Sequence, residues 1–286
     1  MTIAFENTYA NLPKNFFTEQ SPAPVRKPSP ILINENLAKF LSISVDWIKS
    51  ENGLKMLSGN SLPKGSNPIA SIYAGHQFGS WNPQLGDGRA ILLGEIRGED
   101  GLSYDIQLKG AGPTPYSRMG DGRSPLGPVL REHLVSEAMH ALGIASTRAL
   151  ASVETGESVM REAPLPGAIL TRVARSHVRI GTFQYFASVK DIQALDLLTN
   201  YVFERHYSSY PVRENKALAL LEAVMESQAK LIAKWQSVGF VHGVMNTDNM
   251  LVSGETIDFG PCAFIDNFKK GAVFSSIDYT GRYSYE

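Results

Sequence analysis

The sequence contains a single cysteine, Cys262, among 286 residues. An internal disulfide is therefore excluded, and the chain suits a reducing compartment. It also lacks a charge imbalance: 27 Lys and Arg stand against 28 Asp and Glu, a formal net charge of −1. That balance argues against broad attraction to nucleic acid or to an anionic membrane, so local basic clusters need local causes. No run of about 18 uncharged apolar residues occurs, and no membrane span is expected. The opening "MTIAFENTYANLPKNFFTEQ" has no basic segment followed by an apolar one, and Glu6 and Glu19 precede the first arginine, Arg26. We expect neither a signal nor a transit peptide, and a cytoplasmic location. Repeats and low-complexity tracts are missing too.

What is present is ordinary globular material, 43% hydrophobic and 19% charged, long enough for one large domain or two lobes. Residues 11–30 hold five prolines and read as an extended arm. Two short helices are expected over 34–58, with Asn or Ser at each start. "YAGHQFGSWNPQLGDGRAILLGEI" reads as a Gly-rich turn leading into an apolar strand from Ala90 to Ile96. In "LSYDIQLKG", Tyr104, Ile106 and Leu108 alternate with Asp105, Gln107 and Lys109, the pattern of a strand buried on one face. A second glycine loop, "RMGDGRSPLG", precedes a helix opened by Pro128 and ended by Gly143, with Glu132 near its start. Leu221, Val224, Met225, Leu231, Ile232 and Trp235 recur at helical spacing, and Gly239 stops that helix.

Next comes "FVHGVMNTDNMLVSGETIDFG", residues 240–260. Protein kinases carry H-R-D-L-x-x-x-N followed by D-F-G, with the first Asp accepting a proton and Asn and the second Asp holding metal. Here His242 and Asn249 keep that spacing, 249 − 242 = 7, and Asp258-Phe259-Gly260 follows. The catalytic Asp position, however, holds Val244, and a carboxylate reappears only at Asp248. The order of glycine loop, Lys strand, Glu helix, long helix, His…Asn loop and Asp-Phe-Gly is the chain order of a protein kinase.

Each candidate has a plainer reading. Gly86 and Gly88 with Arg89 suit a phosphate loop, yet "LGDGR" is equally a hairpin turn. Lys109, ending an apolar strand, needs an anion or a carboxylate, and Glu132 is its expected partner, against a solvent-facing Lys and a surface Glu. Arg172, Arg175 and Arg179 would share one face if 171–183 were a helix; from spacing alone a solvated basic face is the better reading. His242 reads as structural, orienting its loop by a backbone hydrogen bond. Asp248, Asn249 and Asp258 offer the oxygen ligands magnesium prefers, the alternative being a surface turn.

The stretches "YAGHQFGSWNPQLGDGRA", "DIQLKGAGPTPYSRMGDGRSPLGPVLREHLVSEAMHALGI", "TRVARSHVRIGTFQYFA" and "HGVMNTDNML" resemble the selenoprotein O family, also called YdiU, over most of residues 70–260. The resemblance implies an α+β, protein-kinase-like two-lobed fold that binds ATP end for end relative to kinases. It implies a protein adenylyltransferase in the bacterial cytoplasm, moving AMP to Ser, Thr or Tyr hydroxyls and releasing pyrophosphate. By the same resemblance Asp248 is the proton acceptor, Asn249 and Asp258 hold magnesium or manganese, and Lys109 with Glu132 is the supporting ion pair. Gly86, Gly88, Arg89, Lys109, Asp121, Gly122, Arg172, Arg179 and Asp258 match nucleotide-binding positions, which sets the surface reading of the arginines aside. The implied partners are ATP and proteins, with no nucleic acid or membrane.

One departure stands out: 286 − 260 leaves only 26 residues after Gly260, where family members continue through most of a C-terminal lobe. We therefore expect a C-terminally truncated chain with an incomplete C-terminal lobe, and carry over no redox control from the family's terminal Cys or selenocysteine. The expected division is an arm over 1–33, an N-lobe-like region over 34–160 and a partial C-lobe over 161–286. Rival readings are a nucleotide-binding pseudokinase scaffold or an inactive truncated product, with a conventional kinase, opposed by Val244, behind both.

Overall fold

The computed structural model describes residues 3–285. In chain order they form β1 (Phe17–Glu19), β2 (Ser29–Ile33), α1 (Glu35–Phe40), α2 (Val45–Ile48), α3 (Glu51–Leu57), β3 (Ile69–Ser71), β4 (Gly75–Gln77), β5 (Ser80–Asn82), β6 (Ala90–Arg97) and β7 (Ser103–Lys109). After these come β8 (Ser124–Pro125), α4 (Leu126–Ala141), β9 (Arg148–Met160), β10 (Pro164–Ala174), α5 (Ile180–Ser188), α6 (Ile192–His206), α7 (Lys216–Ser237), β11 (Phe240–Val241) and β12 (Ala263–Phe264). The fold is mixed α+β. The chain divides into two compact units, one of Met1–Ile72, Leu85–Glu137 and Thr147–Arg175, the other of Tyr73–Gln84, Ala138–Ser146 and Ser176–Glu286.

The first unit is built on an antiparallel sheet in the order β1-β3-β6-β7-β10-β9-β2, with β8 added to β10. Ile91, Leu93, Ile106, Leu108, Val153 and Val173 of this sheet form one core with Leu37, Ile48, Met56 and Leu57 of α1–α3. Three helices, rather than the expected two, occupy 34–58. Ser44 and Ser50 each accept a backbone N–H, from Trp47 and Gly53, so each starts a new helix. The proline-rich arm is extended apart from two 3-10 turns, Tyr9–Asn11 and Lys14–Phe16, and supplies both ends of the sheet, β1 pairing with β3 and β2 with β9. Edge strands tolerate proline because one side of the ladder has no partner, and Pro30 sits there.

β7 departs from the expected half-buried pattern. Its apolar face joins the core, but Asp105 and Gln107 on the other face are also buried, Gln107 completely. A strand hydrogen-bonded between β6 and β10 has no solvent edge. Its polar face is dry because other polar side chains cover it, as described below.

In the second unit α7 begins at Asn215, whose side chain accepts from Leu218 N, and Gly239 takes a left-handed φ of 68° just beyond its end. Its buried face is Leu220, Val224, Leu231 and Trp235, whereas Leu221 and Met225, expected on it, are exposed. Val224, Leu231 and Trp235 of the expected set lie on the buried face, Ile232 is half-buried, and Leu221 and Met225 fall outside it. β11 and β12 pair antiparallel and bracket the loop that carries His242 to Asp258. The helix considered for 171–183 does not form: Arg172 lies on β10, Arg175 follows it, and Arg179 immediately precedes α5. β-branched Thr171 and Val173 favour a strand there, and Ile180 opens the helix instead. Among the described residues no helix is long and apolar enough to cross a membrane.

Candidate active site

In the first unit, Lys109 ends β7 and its Nζ donates to Glu132 Oε2 of α4 at 2.6 Å. The other carboxylate oxygen of Glu132 accepts from Arg172 Nε of β10. Arg172 Nη1 reaches Gln107 Oε1 at 3.5 Å, and Gln107 Nε2 reaches Asp87 Oδ2 at 3.4 Å. The side chains of Glu132 and Arg172 are 5% and 2% exposed, that of Lys109 11%. Lys109 and Arg172 thus share one buried carboxylate, and the buried Asp87 carboxylate lies at the far end of the same hydrogen-bonded chain. The expected Lys109–Glu132 pair forms. Arg172 joins it as a second cation on Glu132.

The glycine loops have structural causes of their own. Gly86 has φ +77°, and a Cβ there would lie 2.4 Å from the Tyr116 ring; at Gly88 it would lie 2.7 Å from the Tyr116 carbonyl. Only glycine lets residues 86–88 pack against Tyr116. Arg89 is exposed, and its carbonyl accepts from Gly110 N at 2.8 Å, which sets it beside the Lys109 end of β7. Gly122, with φ +64°, is pressed against the Gly112 carbonyl. Asp121 is held by Arg161 Nη1 at 2.8 Å. The Arg161 hydrogen bond, opposed by partial burial and aided by the Arg123 N–H, keeps its carboxyl below the usual range.

In the second unit, the 178–180 segment runs beside 250–252, with Val252 N on Val178 O at 3.0 Å and Ile180 N on Met250 O at 2.9 Å. This register delivers Arg179 to the loop that carries Asp248 and Asp258. Its Nη1 donates to the Asp248 backbone carbonyl at 2.7 Å and lies 3.4 Å from Asp258 Oδ2, while its guanidinium sits 4.8 Å from the centre of the Tyr73 ring. Asp258 adopts a left-handed φ of 63°, a conformation Asp tolerates better than most residues but at a cost of about 1 kcal/mol or more. His242 is structural, as expected. Its ring stacks on Trp235 at 5.3 Å; Nδ1 accepts from Val244 N at 3.4 Å, so Nε2 carries the hydrogen donated to Ile257 O at 2.7 Å.

Asp248 is buried, 6% exposed. Oδ2 accepts from Gln77 Nε2 at 2.9 Å, and buried Oδ1 has no hydrogen-bond partner among the described residues. Burial pushes the Asp248 carboxyl up; the Gln77 hydrogen bond, the residue's own backbone N–H and Arg179 oppose this, and Asp258 adds to it. A carboxylate of raised proton affinity with one bare oxygen has the properties of a general base. Asn249 Nδ2 is committed to the Val244 carbonyl at 2.9 Å, so its amide oxygen is the atom it offers. Among the described residues no three His, Cys, Asp or Glu side chains form a metal cage. Asn249 with Asp258 nevertheless offers the one or two protein oxygens that magnesium takes, its other positions being left to water and phosphate.

Sequence reasoning missed Gln77, Gln107 and Arg161. Gln77 lies within "YAGHQFG", read only as part of a turn. Gln107 was visible as a polar residue in an apolar strand, but its burial was not.

A family model described as "Protein adenylyltransferase SelO" matches residues 1–286. The chain belongs to the SelO family. It is 60% identical over 282 residues to the protein nucleotidyltransferase YdiU of Rhizobium etli strain CIAT 652, covering 99% of this chain and 56% of that protein. Proteins of the same name from Jannaschia sp. strain CCS1 and Bacillus cytotoxicus are 58% and 57% identical over 281 residues, each covering 98% of this chain and 58% and 57% of theirs. The chain thus spans little more than half the length of these SelO relatives.

Proposed function

We propose that this chain carries the chemistry of a protein adenylyltransferase, moving AMP from ATP to Ser, Thr or Tyr hydroxyls of proteins. The observation that carries the reading is Asp248, a buried carboxylate with one anchored and one bare oxygen, next to Asn249 in a loop whose kinase-type Asp position is Val244. In this reading Asp248 Oδ1 takes the hydroxyl proton as the substrate oxygen bonds to the α-phosphorus. The bond from that phosphorus to the bridging oxygen of the β-phosphate breaks, and pyrophosphate leaves with that bond's electron pair. The relatives' name, protein nucleotidyltransferase, supports the transfer of a nucleotidyl group rather than a γ-phosphoryl group.

Asn249 and Asp258 would hold magnesium or manganese, which when bound neutralises charge on the phosphates. Lys109, with Glu132, and the buried guanidiniums of Arg172 and Arg179 supply positive charge for the β- and γ-phosphates and the departing pyrophosphate. Gly86, Gly88, Arg89, Asp121 and Gly122 border the nucleotide. The fold reading is a protein-kinase-like one: the sheet unit bears the Lys strand and most of the Glu helix, and the helical unit bears the loop and Asp-Phe-Gly. Two kinds of ATP, labelled at the α- or the γ-position and supplied with magnesium and a protein acceptor, test the reading. Label is expected in protein from the α-position only. Label from the γ-position would restore a kinase, and label from neither would leave a nucleotide-binding scaffold.

A further inference from the structure

We propose that Gln77 is a positioning residue for the transfer step, its amide holding the Asp248 carboxylate in one orientation so that Oδ1 is left as the proton acceptor. This rests on Asp248 being the base. The contact itself is Gln77 Nε2 to Asp248 Oδ2 at 2.9 Å. An ionised carboxylate only accepts, so the amide nitrogen must be the group facing it. With Oδ2 occupied, the proton-accepting role falls to one defined oxygen. Without that anchor the carboxylate is free to turn about its last bond, and its two oxygens become interchangeable.

The surroundings of Gln77 are built to keep it there. It is the last residue of β4, and the turn that follows is held in left-handed geometry, φ 49° at Phe78 and 81° at Gly79. A non-glycine residue persists in that conformation only when its surroundings hold it. Here Phe78 N donates to Tyr283 Oη at 3.0 Å, and the two rings meet edge to face at 5.1 Å. Tyr283 is fixed in turn by Asp278, whose carboxylate accepts from Arg282 N at 3.0 Å and Tyr283 N at 2.9 Å. On the other side of Gln77, His76 N donates to Thr247 Oγ1 at 3.2 Å, and Thr247 directly precedes Asp248. Both neighbours of Gln77 are therefore tied down, one to the base loop and one to the 278–283 turn. A glutamine needed only for solvation requires none of this.

Steady-state transfer from α-labelled ATP in the full chain tests the inference with three variants. Gln77→Leu removes the donor, Gln77→Glu keeps the shape but replaces the donor with an acceptor, and Tyr283→Phe keeps the ring but removes the nearer of the two acceptors of Phe78 N, the other being Asn246 Oδ1 at 3.4 Å. For both Gln77 variants kcat should fall about ten- to a hundredfold, the penalty of a misplaced catalytic group, with KM for ATP within about threefold of wild type. Tyr283→Phe should show the same split with a smaller loss, about threefold in kcat. Wild-type kcat in Gln77→Glu, or a rise in KM with kcat unchanged, would overturn the positioning role. An unmodified protein that transfers no α-label would instead sink the adenylyltransferase reading itself.

Discussion

Asp248 combines two properties that rarely coincide, burial and a bare oxygen. A charge kept dry for chemistry lowers stability, because the folded state gives up its hydration. Asp248→Asn is therefore expected to lower transfer by about 10²- to 10⁴-fold, to leave magnesium-dependent ATP binding in place, and to raise the midpoint of thermal unfolding. An unfolding midpoint below wild type would contradict the stability half of that expectation, and retained transfer the catalytic half. Glu132 carries the opposite sign. It offsets both Lys109 and Arg172, so Glu132→Gln leaves two buried cations facing a neutral amide and should cost about 3–5 kcal/mol, the usual penalty for breaking a buried ion pair. Urea unfolding measures it, and a loss below about 1 kcal/mol would mean that water reaches the cluster.

At the scale of elements, α4 is both a strut and a pH-sensitive part. Its His133 is buried, with Nδ1 2.8 Å from Ser152 Oγ. Burial pulls its pKa below the ordinary 6.5, with Glu137 opposing. The folded state thus binds fewer protons than the unfolded one between the folded value and 6.5, so stability rises with pH there. This contribution is fully present above pH 6.5 and is lost as pH falls through the folded value. Unfolding midpoints measured from pH 7.5 to 5 should drop in wild type and drop less in His133→Gln, whose amide still reaches toward Ser152. Identical slopes would show that His133 is charged in the fold.

Viewed as a whole, the molecule has a net charge of −1 and no global field to draw in ATP. In the proposed reading, binding then depends on the local cations and on the residues offered as metal ligands. Magnesium with ATP at a hundred times its Kd should stabilise the protein by about 2.7 kcal/mol, the linkage expected for a ligand that binds only the folded form. Chelating the metal, or Asp258→Ala, should abolish that shift. An undiminished shift in Asp258→Ala would take Asp258 out of metal binding.

Sequence alone determined the family and several elements, among them the Ala90–Ile96 and Lys109 strands, the helix that carries Glu132 and the helix stopped by Gly239. Chain order, spacing and glycine positions are local properties, and the motif from His242 to Asp258 is continuous. Only the tertiary structure decided three further points. Arg172 and Arg179 sit on a strand and before a helix rather than on one helical face, because strand pairing with β7 overrides the i, i+3, i+7 pattern. The polar side of β7 is buried, because Glu132, Arg172 and Asp87 cover it with partners drawn from other elements. Gln77 meets Asp248 across 171 residues of sequence, a contact no periodicity encodes, since hydrogen bonding between distant segments depends on where the chain folds back and not on local spacing.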